Sequence, residues 1–453
     1  MQPSSSFRKL AAAVTALSAL TIPVDAAARS VGNPLATVDQ RDLDALAIEI
    51  NNDHSFTVLK AEARAAYRTA HGLPVSDEAS SSLDAAINEL AFSAIQKAVN
   101  SDPYYPKVYV VDAGPRKWFG LDVPGGRYSY DNPDCIYRTI PIDSNLSYIV
   151  KGKRYTPSPT DVTFSLISNP NSQNTVAYLA GEDLVLDNDN SYIITINSSS
   201  AEGATNHIQS TSSATQLLIR NNLGDWQTET PDEISVELVD DPSGHDPITN
   251  TEISLAAAWN LQQSIVTYGV GALGLKTSIN AVNTLSDPSQ SSTLGTLTSQ
   301  ASSFGHFELA ANEALVVTLT PGPATYFVFP VTNPWMVTVD PASQISLNSV
   351  QASANPDGTY TFVVSVQDPA VYNWINTTGL TEGTIMARWQ GLPTSSESSS
   401  TDEPAIDTKI VPLSELSSVL PIGTRYVTPN ERAVQLEERV AGYARRLRFE
   451  ATN

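Results

Sequence analysis

Cysteine is almost missing from this chain of 453 residues, which has only Cys135. An internal disulfide is therefore excluded, and so is a cysteine-rich zinc module. Histidine is nearly as scarce, with five residues, and none lies at metal-ligand spacing from another. We expect no metal and no other cofactor.

Charged residues are also few, at 16% of the chain, and 48 acidic against 26 basic side chains give a net charge of −22. Nucleic acids and anionic membranes need a concentrated basic surface, so the charge argues against both as partners. The chain also lacks the Gly-X-Ser-X-Gly, P-loop, dinucleotide-binding and His-Glu-X-X-His motifs. This weighs against serine-hydrolase, nucleotide and zincin functions.

Residues 1–28 are typical of a signal peptide. Arg8 and Lys9 precede an apolar stretch from Leu10 to Ile22, and the small residues 26–28 suit a cleavage site. The apolar stretch is shorter than the ~20 residues that span a bilayer. A loose amphipathic helix is the alternative. We predict a protein of the secretory pathway, with no membrane span in the mature chain.

Export would give meaning to three glycosylation sequons in a chain rich in serine and threonine. They begin at Asn145, Asn197 and Asn376.

Periodicity divides the mature chain into five parts. Residues 29–105 form a helical preface, in which apolar residues recur every three or four positions. Residues 106–250 and 301–392 hold short β-branched and aromatic runs separated by turn residues. A helix and a Ser/Thr-rich linker fill 251–300, and a flexible loop and a helix fill 393–453.

These patterns predict a mostly β, α+β protein with two antiparallel β-sandwich or jelly-roll-like domains. A helical N-terminal preface and a C-terminal helix complete it. The two β-blocks do not align as a sequence repeat, but related sandwiches remain possible. One of the expected strands covers Leu184–Leu186.

The C-terminal helix has a clear start, since Thr428 is an N-cap, Pro429 occupies the first turn and Glu431 completes a capping box. Arg445 and Arg446 lie near its end, where positive charge suits the helix dipole. We interpret it as a docked or projecting helix and not as a nucleic-acid-binding one.

The stretch from Asp131 to Arg138 is the first candidate site. On a strand, Asp134 and Arg138 share one face and Tyr137 lies on the other. Asp134 and Arg138 are candidate catalytic residues, and Tyr137 is a candidate substrate-binding residue. The alternative is an Asx turn leading into a strand, with a structural Asp–Arg ion pair. Within this stretch, Cys135 is better suited to a buried apolar role than to that of a nucleophile.

His306 is the second candidate. On a strand it shares a face with Glu308, which could orient it as a proton shuttle. A histidine at a sheet edge with a satisfied hydrogen bond is the alternative.

A third set combines tryptophan with amide and guanidinium groups, as small-molecule platforms do. The same residue types also close the ends of sandwich cores. The set comprises Asn333, Trp335, Asn373, Trp374, Arg388 and Trp389.

Several phrases in order resemble the family known as domain of unknown function 1214, in its long form with a related upstream domain. They include Thr332-Asn333-Pro334-Trp335, Ser346-Leu347-Asn348, the run from Asn355 to Ser365, Asn373-Trp374 and Arg388-Trp389. Upstream, Asn132 to Arg138, Gly224-Asp225-Trp226 and Ser303 to Phe307 fit the longer members.

The resemblance covers roughly 114–393 and implies paired β-sandwich or jelly-roll domains, often exported, with no established reaction. One departure lies at Ile375–Thr378, where the proline-containing run usual in the family is missing. We expect a pocket there to differ from that of the family.

From these observations we predict an exported, cofactor-independent enzyme. It would act on a small metabolite by acid–base chemistry at the interface of the two β-domains. The alternatives are a secreted carbohydrate- or small-molecule-binding protein without catalysis, and a structural secreted protein.

Overall fold

A computed structural model describes residues 33–71, 75–271, 279–293, 295–393 and 403–447. The predicted signal peptide lies outside these ranges. Among the helices described, none is long and apolar enough to cross a bilayer.

Four helices pack into one layer, and a fifth ends the described chain. The helices are α1 (Val38–Asn51), α2 (His54–His71), α3 (Asp77–Val99), α4 (Asn250–Ser264) and α5 (Pro429–Arg446). A π-helix, Ile265–Gly271, continues α4, and a 3-10 helix covers Leu413–Ser418. Side-chain caps start α1, α3, α4 and α5, because Thr37, Ser76, Thr249 and Thr428 each accept a backbone N–H.

The first sandwich uses strands from the middle of the chain. In chain order they are β1 (Tyr109–Val111), β2 (Arg116–Trp118), β3 (Leu121–Val123), β4 (Cys135–Pro141), β5 (Tyr148–Lys153), β6 (Asp161–Ile167), β7 (Thr175–Ala180), β8 (Ser191–Asn197), β9 (His207–Gln209), β10 (Gln216–Asn222) and β11 (Glu233–Leu238). A five-stranded sheet, ordered β1-β4-β10-β6-β7, faces a four-stranded sheet, ordered β11-β5-β8-β9. The hairpin β2-β3 stands apart from both sheets.

The second sandwich begins beyond α4. Its strands are β12 (Thr284–Leu285), β13 (Ser289–Gln290), β14 (Ala301–Glu308), β15 (Glu313–Thr320), β16 (Tyr326–Thr332), β17 (Ser346–Asn348), β18 (Tyr360–Ser365), β19 (Trp374–Asn376), β20 (Glu382–Gln390) and β21 (Ala405–Pro412). The larger sheet is ordered β12-β14-β20-β16-β17, with β13 beside β14, and the smaller one is ordered β19-β18-β15-β21. These sheets confirm the mostly β, α+β architecture with helical additions.

The two sandwiches repeat one topology. The large sheets place β4, β10, β6 and β7 in the same order as β14, β20, β16 and β17. The small sheets place β11, β5, β8 and β9 in the same order as β21, β15, β18 and β19. In both small sheets the last pair, β8–β9 or β18–β19, is parallel while the others are antiparallel. The two β-blocks are therefore related in structure although their sequences do not align.

Alternation along the central strands separates two environments. In β10, Leu217 and Ile219 enter the core of the first sandwich, whereas Leu218 and Arg220 lie on the opposite face. In β20, Ile385 and Ala387 enter the second core, and Met386 lies on the opposite face. Both large sheets thus bury their outer faces as well, against each other and the helical layer.

The helical layer is tied to both β-domains. Glu89 of α3 forms a buried ion pair with Arg127, whose Nη1 donates to the carbonyl oxygen of Thr338 at 2.8 Å. Trp335 packs beside His71 of α2 and donates its Nε1 proton to the carbonyl oxygen of Ala79 at 2.9 Å. The predicted preface is therefore part of one packed body.

Helix α5 bridges the two sandwiches through its arginines. Arg432 pairs with Asp368 of the second domain at 2.8 Å, and Arg439 donates to the carbonyl oxygens of Pro341 and Ser343, both at 2.9 Å. Arg446 donates to the carbonyl oxygens of Pro133 and Cys135 in the first domain. The basic cluster of this helix is used within the molecule, which fits the docked interpretation.

Two local expectations differ from the structure. Leu184–Leu186 forms no strand, although Leu184 is buried against the first core. Conversely, Ala405–Pro412, expected partly as flexible loop, pairs with β15 and completes the small sheet of the second sandwich. Both outcomes depend on tertiary contacts. The main chain of Val185 pairs with the Asn206 side chain and not with a strand, and β21 is held by its pairing with β15.

We expect Thr428→Ala to lower the free energy of unfolding by about 1 kcal/mol, because it removes the N-cap of α5. Chemical denaturation measures the change. The matched control is Asn430→Ala, an exposed position in the same turn, which should leave stability unchanged or slightly raised. Equal effects of the two substitutions would contradict the cap.

Candidate functional site

A polar cavity of about 50 Å³ lies where the outer faces of the two large sheets meet the helical layer. Tyr137 of β4 and Arg220 of β10 come from the first sandwich, and Arg388 of β20 comes from the second. Asp112, directly after β1, and Tyr268 of the π-helix complete the wall on the helical side. The cavity therefore lies at the interface of the two β-domains.

The two arginines in the wall, Arg220 and Arg388, are buried, each with 5% of the residue's surface exposed. Arg220 donates from Nη2 to the carbonyl oxygen of Gly295 at 2.7 Å and from Nη1 to Ser165 Oγ at 3.3 Å. Arg388 donates to the carbonyl oxygens of Tyr130 and Met386. Within the described ranges, neither arginine has a carboxylate within ion-pair distance. Each keeps N–H groups beyond these two bonds, since a guanidinium has five.

Asp112 and the buried Lys97 of α3 form an electrostatic pair beside this wall. Burial raises the pKa of Asp112 to about 7, against the opposing effect of the Lys97 charge. Burial likewise lowers the pKa of Lys97 to about 8, and Asp112 opposes that shift. The Lys97 ammonium lies 4.3 Å from the centre of the Tyr128 ring. Two groups that change charge near neutral pH therefore adjoin the cavity, a feature enriched at functional sites.

Four tyrosines line the cavity: Tyr128, Tyr130, Tyr137 and Tyr268. Burial is the main reason that the pKa values of Tyr128, Tyr137 and Tyr268 lie above the ordinary value, so these three stay protonated at neutral pH. Tyr128 accepts a hydrogen bond from Gln173 Nε2 at 2.9 Å. The hydroxyls of Tyr268 and Ser129 are buried and have no hydrogen-bond partner among the described residues. The wall thus offers polar groups that its own structure does not satisfy.

Backbone strain is concentrated in the same wall. Asp112, Ser129 and Tyr130 have φ values of 56°, 48° and 66°, in the left-handed region that residues with a side chain rarely adopt. Such strain persists where surrounding contacts enforce it, and it is common at functional sites.

A chain of buried amides forms one side of the cavity and joins the two sandwiches. Asn222 at the end of β10 donates to Gln390 Oε1 at the end of β20, over 2.6 Å. Gln390 in turn donates to Gln300 Oε1 at 2.7 Å. Asn132 donates to both Asn222 Oδ1 and the Tyr326 hydroxyl oxygen. These bonds hold the sheets at one separation.

Asp134 is the centre of this interface and not a cavity residue. Its carboxylate accepts from Trp226 Nε1 at 2.9 Å, from the Tyr326 hydroxyl at 2.6 Å and from Asn348 Nδ2 at 2.9 Å. Trp226 belongs to the first domain, and the other two belong to the second. Burial raises the pKa of Asp134, and the hydrogen bonds of Tyr326 and Asn348 oppose that shift.

The expected Asp134–Arg138 pair does not form. Arg138 lies inside the first sandwich, where it donates to Asn221 Oδ1 and to the carbonyl oxygen of Asp232. The Asx turn weighed as the alternative does form, since Asn132 Oδ1 accepts the Asp134 N–H at 3.0 Å. The strand that follows directs Arg138 to the core face, away from the carboxylate.

His306 belongs to the second sandwich, whereas Asp134 and Arg138 belong to the first. It is half-buried in β14, paired with Thr284 and Thr384, and does not line the cavity. The three predicted catalytic side chains therefore do not converge on one pocket.

Most of the predicted substrate-binding set is structural. Trp335, Trp374 and Trp389 are buried and donate their indole N–H to carbonyl oxygens. Asn333 and Asn373 hold turns through main-chain hydrogen bonds. Of this set, only Tyr137 and Arg388 line the cavity.

The sequon asparagines lie at the surface to different degrees. Asn145 is exposed in the loop after β4, whereas Asn197 and Asn376 are half-buried at the ends of β8 and β19. Cys135 is buried, and burial raises the pKa of its thiol, as expected of a packing residue. No group of three or more possible metal ligands occurs in the described part of the chain.

Sequence reasoning missed Lys97, Asp112, Tyr128, Arg220 and Tyr268. A signal for Lys97 was present, because it is the only charged residue in the run from Leu90 to Val99. Arg220 likewise ends an apolar run in β10. The other three carry no local signal, since only the packing of the helical layer brings them to the cavity.

A second hollow, of about 270 Å³, lies between α5 and both sandwiches. Its amide groups are already used: Gln344 donates to the carbonyl oxygen of Trp374, and Gln351 donates to that of Gly224. Trp226 in its wall is buried. The cavity of about 50 Å³, which has polar groups without partners among the described residues, is therefore the better candidate for a functional site.

Comparison with known proteins identifies the fold and no activity. No family model matches the chain, and no curated protein matches its sequence. An uncharacterized Burkholderia cenocepacia protein of known structure is 19% identical, with a TM-score of 0.65, and the match covers 81% of this chain and 99% of that one. A Vibrio parahaemolyticus protein is 9% identical, with a TM-score of 0.37 and coverage of 62% and 90%.

We expect Asp134→Ala to lower the free energy of unfolding by about 3 kcal/mol or more, because three buried donors lose their acceptor. Chemical denaturation measures it. Asp122→Ala, on the exposed hairpin, is the control and should cost less than about 0.5 kcal/mol. A loss at Asp134 no larger than the control would show that the interface does not depend on this carboxylate.

Proposed function

We propose that the protein is an enzyme that acts on a small metabolite by acid–base chemistry in the cavity between its two β-sandwiches. Asp112 is the proton acceptor. The observation that carries this proposal is a carboxylate of near-neutral pKa in the wall of a polar cavity, opposed by a buried lysine. A group of this pKa is half ionised near neutral pH, where general acid–base catalysis is most effective.

The surrounding side chains have separate roles in this proposal. Lys97 keeps Asp112 from a still higher pKa through its positive charge. The protonated hydroxyls of Tyr137 and Tyr268 donate to oxygen atoms of the bound molecule. Arg220 and Arg388 position it by charge-assisted hydrogen bonds. The enclosed position limits competing water, so these interactions are stronger than on the surface.

Binding without turnover is the second candidate. It is favoured by the two arginines, which would hold a ligand whether or not Asp112 moves a proton. A secreted small-molecule-binding protein would use the same cavity and would tolerate loss of the carboxylate.

Secretion, glycosylation and membership of the domain of unknown function 1214 family stay predictions from the sequence. If the chain is exported in a glycosylating host, exposed Asn145 is the best-placed acceptor.

We expect Asp112→Asn to abolish turnover while keeping the fold. Asparagine tolerates the left-handed backbone at this position, where φ is 56°, so the substitution adds little strain. Purified protein is incubated with a metabolite extract, and depletion is followed by mass spectrometry. The wild type should deplete at least one small metabolite, and Asp112→Asn should slow this by about a hundredfold or more.

Asp122→Asn, on the exposed hairpin, is the matched control and should deplete the same metabolite at the wild-type rate. Thermal unfolding confirms that each variant is folded. Depletion by Asp112→Asn at the wild-type rate would refute the role of Asp112. The absence of any depletion by the wild type would favour binding without turnover.

The rate should rise with pH as Asp112 loses its proton near pH 7 and becomes able to accept one. In Lys97→Met, Asp112 loses the charge that lowers its pKa, so the acidic limb should move to higher pH. Steady-state rates across pH measure the shift, and Lys117→Met on the exposed hairpin is the control. An acidic limb that stays in place would show that Lys97 does not act on Asp112.

A further inference from the structure

The two arginines of the cavity occupy equivalent positions in the repeated topology. Arg220 lies on β10 and Arg388 on β20, the strands that take the same place in the two large sheets. Aligned on these arginines, Leu218 corresponds to Met386 and Asn222 to Gln390. The neighbouring strands are equivalent as well: β4 pairs antiparallel with β10 in the first sandwich, and β14 pairs antiparallel with β20 in the second.

The equivalent strands also meet in space. Asn222 and Gln390, which correspond in this alignment, are hydrogen-bonded to each other at 2.6 Å. Two positions earlier on each strand, Arg220 and Arg388 both line the cavity, as do Leu218 and Met386 two positions before them. The cavity wall therefore presents one guanidinium from each sandwich, in a pseudo-symmetric arrangement.

Two buried guanidinium groups without a carboxylate at ion-pair distance among the described residues favour an anion between them. Other charges in the wall limit which anion fits. Asp112 and Asp131 also line the cavity, and both would repel a dianion such as phosphate more strongly than a monoanion. Leu218 and Met386 offer apolar surface for a short carbon chain.

The volume sets the size of that molecule. A cavity of about 50 Å³ has room for about four water-sized groups, at 10–15 Å³ each. A carboxylate with one or two further carbon atoms has four or five non-hydrogen atoms. Its planar oxygens match the fork of a guanidinium.

We propose that the cavity binds the carboxylate of a short organic acid between Arg220 and Arg388, one arginine from each β-sandwich. The proposal rests on the proposed function, since it names the substrate class of the same site. The carboxylate would be bound while the rest of the molecule faces Asp112 and the tyrosines.

Calorimetric titration of full-length Asp112→Asn protein tests binding apart from turnover. The probes are acetate and propionate, the neutral isosteres acetamide and propionamide, and inorganic phosphate. We expect the carboxylates to bind and to raise the unfolding temperature. The amides and phosphate should bind at least about tenfold more weakly. The amides lose the charge-assisted bonds, and phosphate meets repulsion from Asp131, which this variant keeps.

Substitution of each arginine tests the pseudo-symmetry. Arg220→Gln and Arg388→Gln should each weaken acetate binding by about tenfold or more. Arg425→Gln, an exposed arginine outside the cavity, is the control and should bind acetate unchanged. Because a buried arginine can also support the fold, Arg220→Lys and Arg388→Lys are included. They keep the charge but lose the fork, and should bind with intermediate affinity.

Three results would overturn the inference: amides that bind as tightly as carboxylates, no binding of either carboxylate, or either Gln variant that binds acetate unchanged. Failure of the proposed function gives a different pattern. If carboxylates bind but the wild type converts no metabolite, the carboxylate site is supported and the enzymatic function is refuted. If the wild type depletes a neutral metabolite through Asp112 and no carboxylate binds, the enzymatic function is supported and the carboxylate site is refuted.

Discussion

Buried hydrogen bonds between the outer faces of the two large sheets are the constraint on which the remaining structure depends. Asp134, Asn132 and Asn222 from the first sandwich meet Tyr326 and Gln390 from the second. A buried polar group without a partner is costly, so these side chains specify one relative placement of the sandwiches, whereas apolar surfaces would tolerate several. The cavity exists because this placement leaves polar space beside the amide chain.

The helices stabilise this relative placement of the two sandwiches by contacting both of them. The layer from α1 to α4 covers one side of the interface and contributes Lys97 and, through the π-helix, Tyr268. Helix α5 covers another side, and its arginines donate to main-chain carbonyl oxygens of both sandwiches. A cluster of positive charge that resembles a binding surface in the sequence is thus satisfied internally. The net charge of −22 already counts these arginines, so their internal hydrogen bonds leave it unchanged.

The two sandwiches share a topology but differ around the cavity. The strand order is the same and Arg220 and Arg388 occupy equivalent positions, yet the surrounding groups differ. Tyr137 of β4 stands beside Arg220 where Ser302 of β14 stands beside Arg388. Asp112 lies directly after β1, on the side of the first sandwich. Such an arrangement combines a pseudo-symmetric pair of cations with two carboxylates, Asp112 and Asp131, that come only from the side of the first sandwich.

The sequence by itself determined the local elements: helices with capped starts, strands of alternating polarity, two β-blocks and a C-terminal helix begun at Thr428. Short-range sterics and hydrogen bonds decide these features, and neighbouring residues carry that information. Sequence reasoning also singled out Asp134 and Arg138, but their partners were decided by tertiary structure, because Asp134 enters the interface between the sandwiches and Arg138 enters the core of the first. The cavity joins Asp112, Arg220 and Arg388, which lie far apart along the chain, and only the packing of two sandwiches on the helical layer could bring them together.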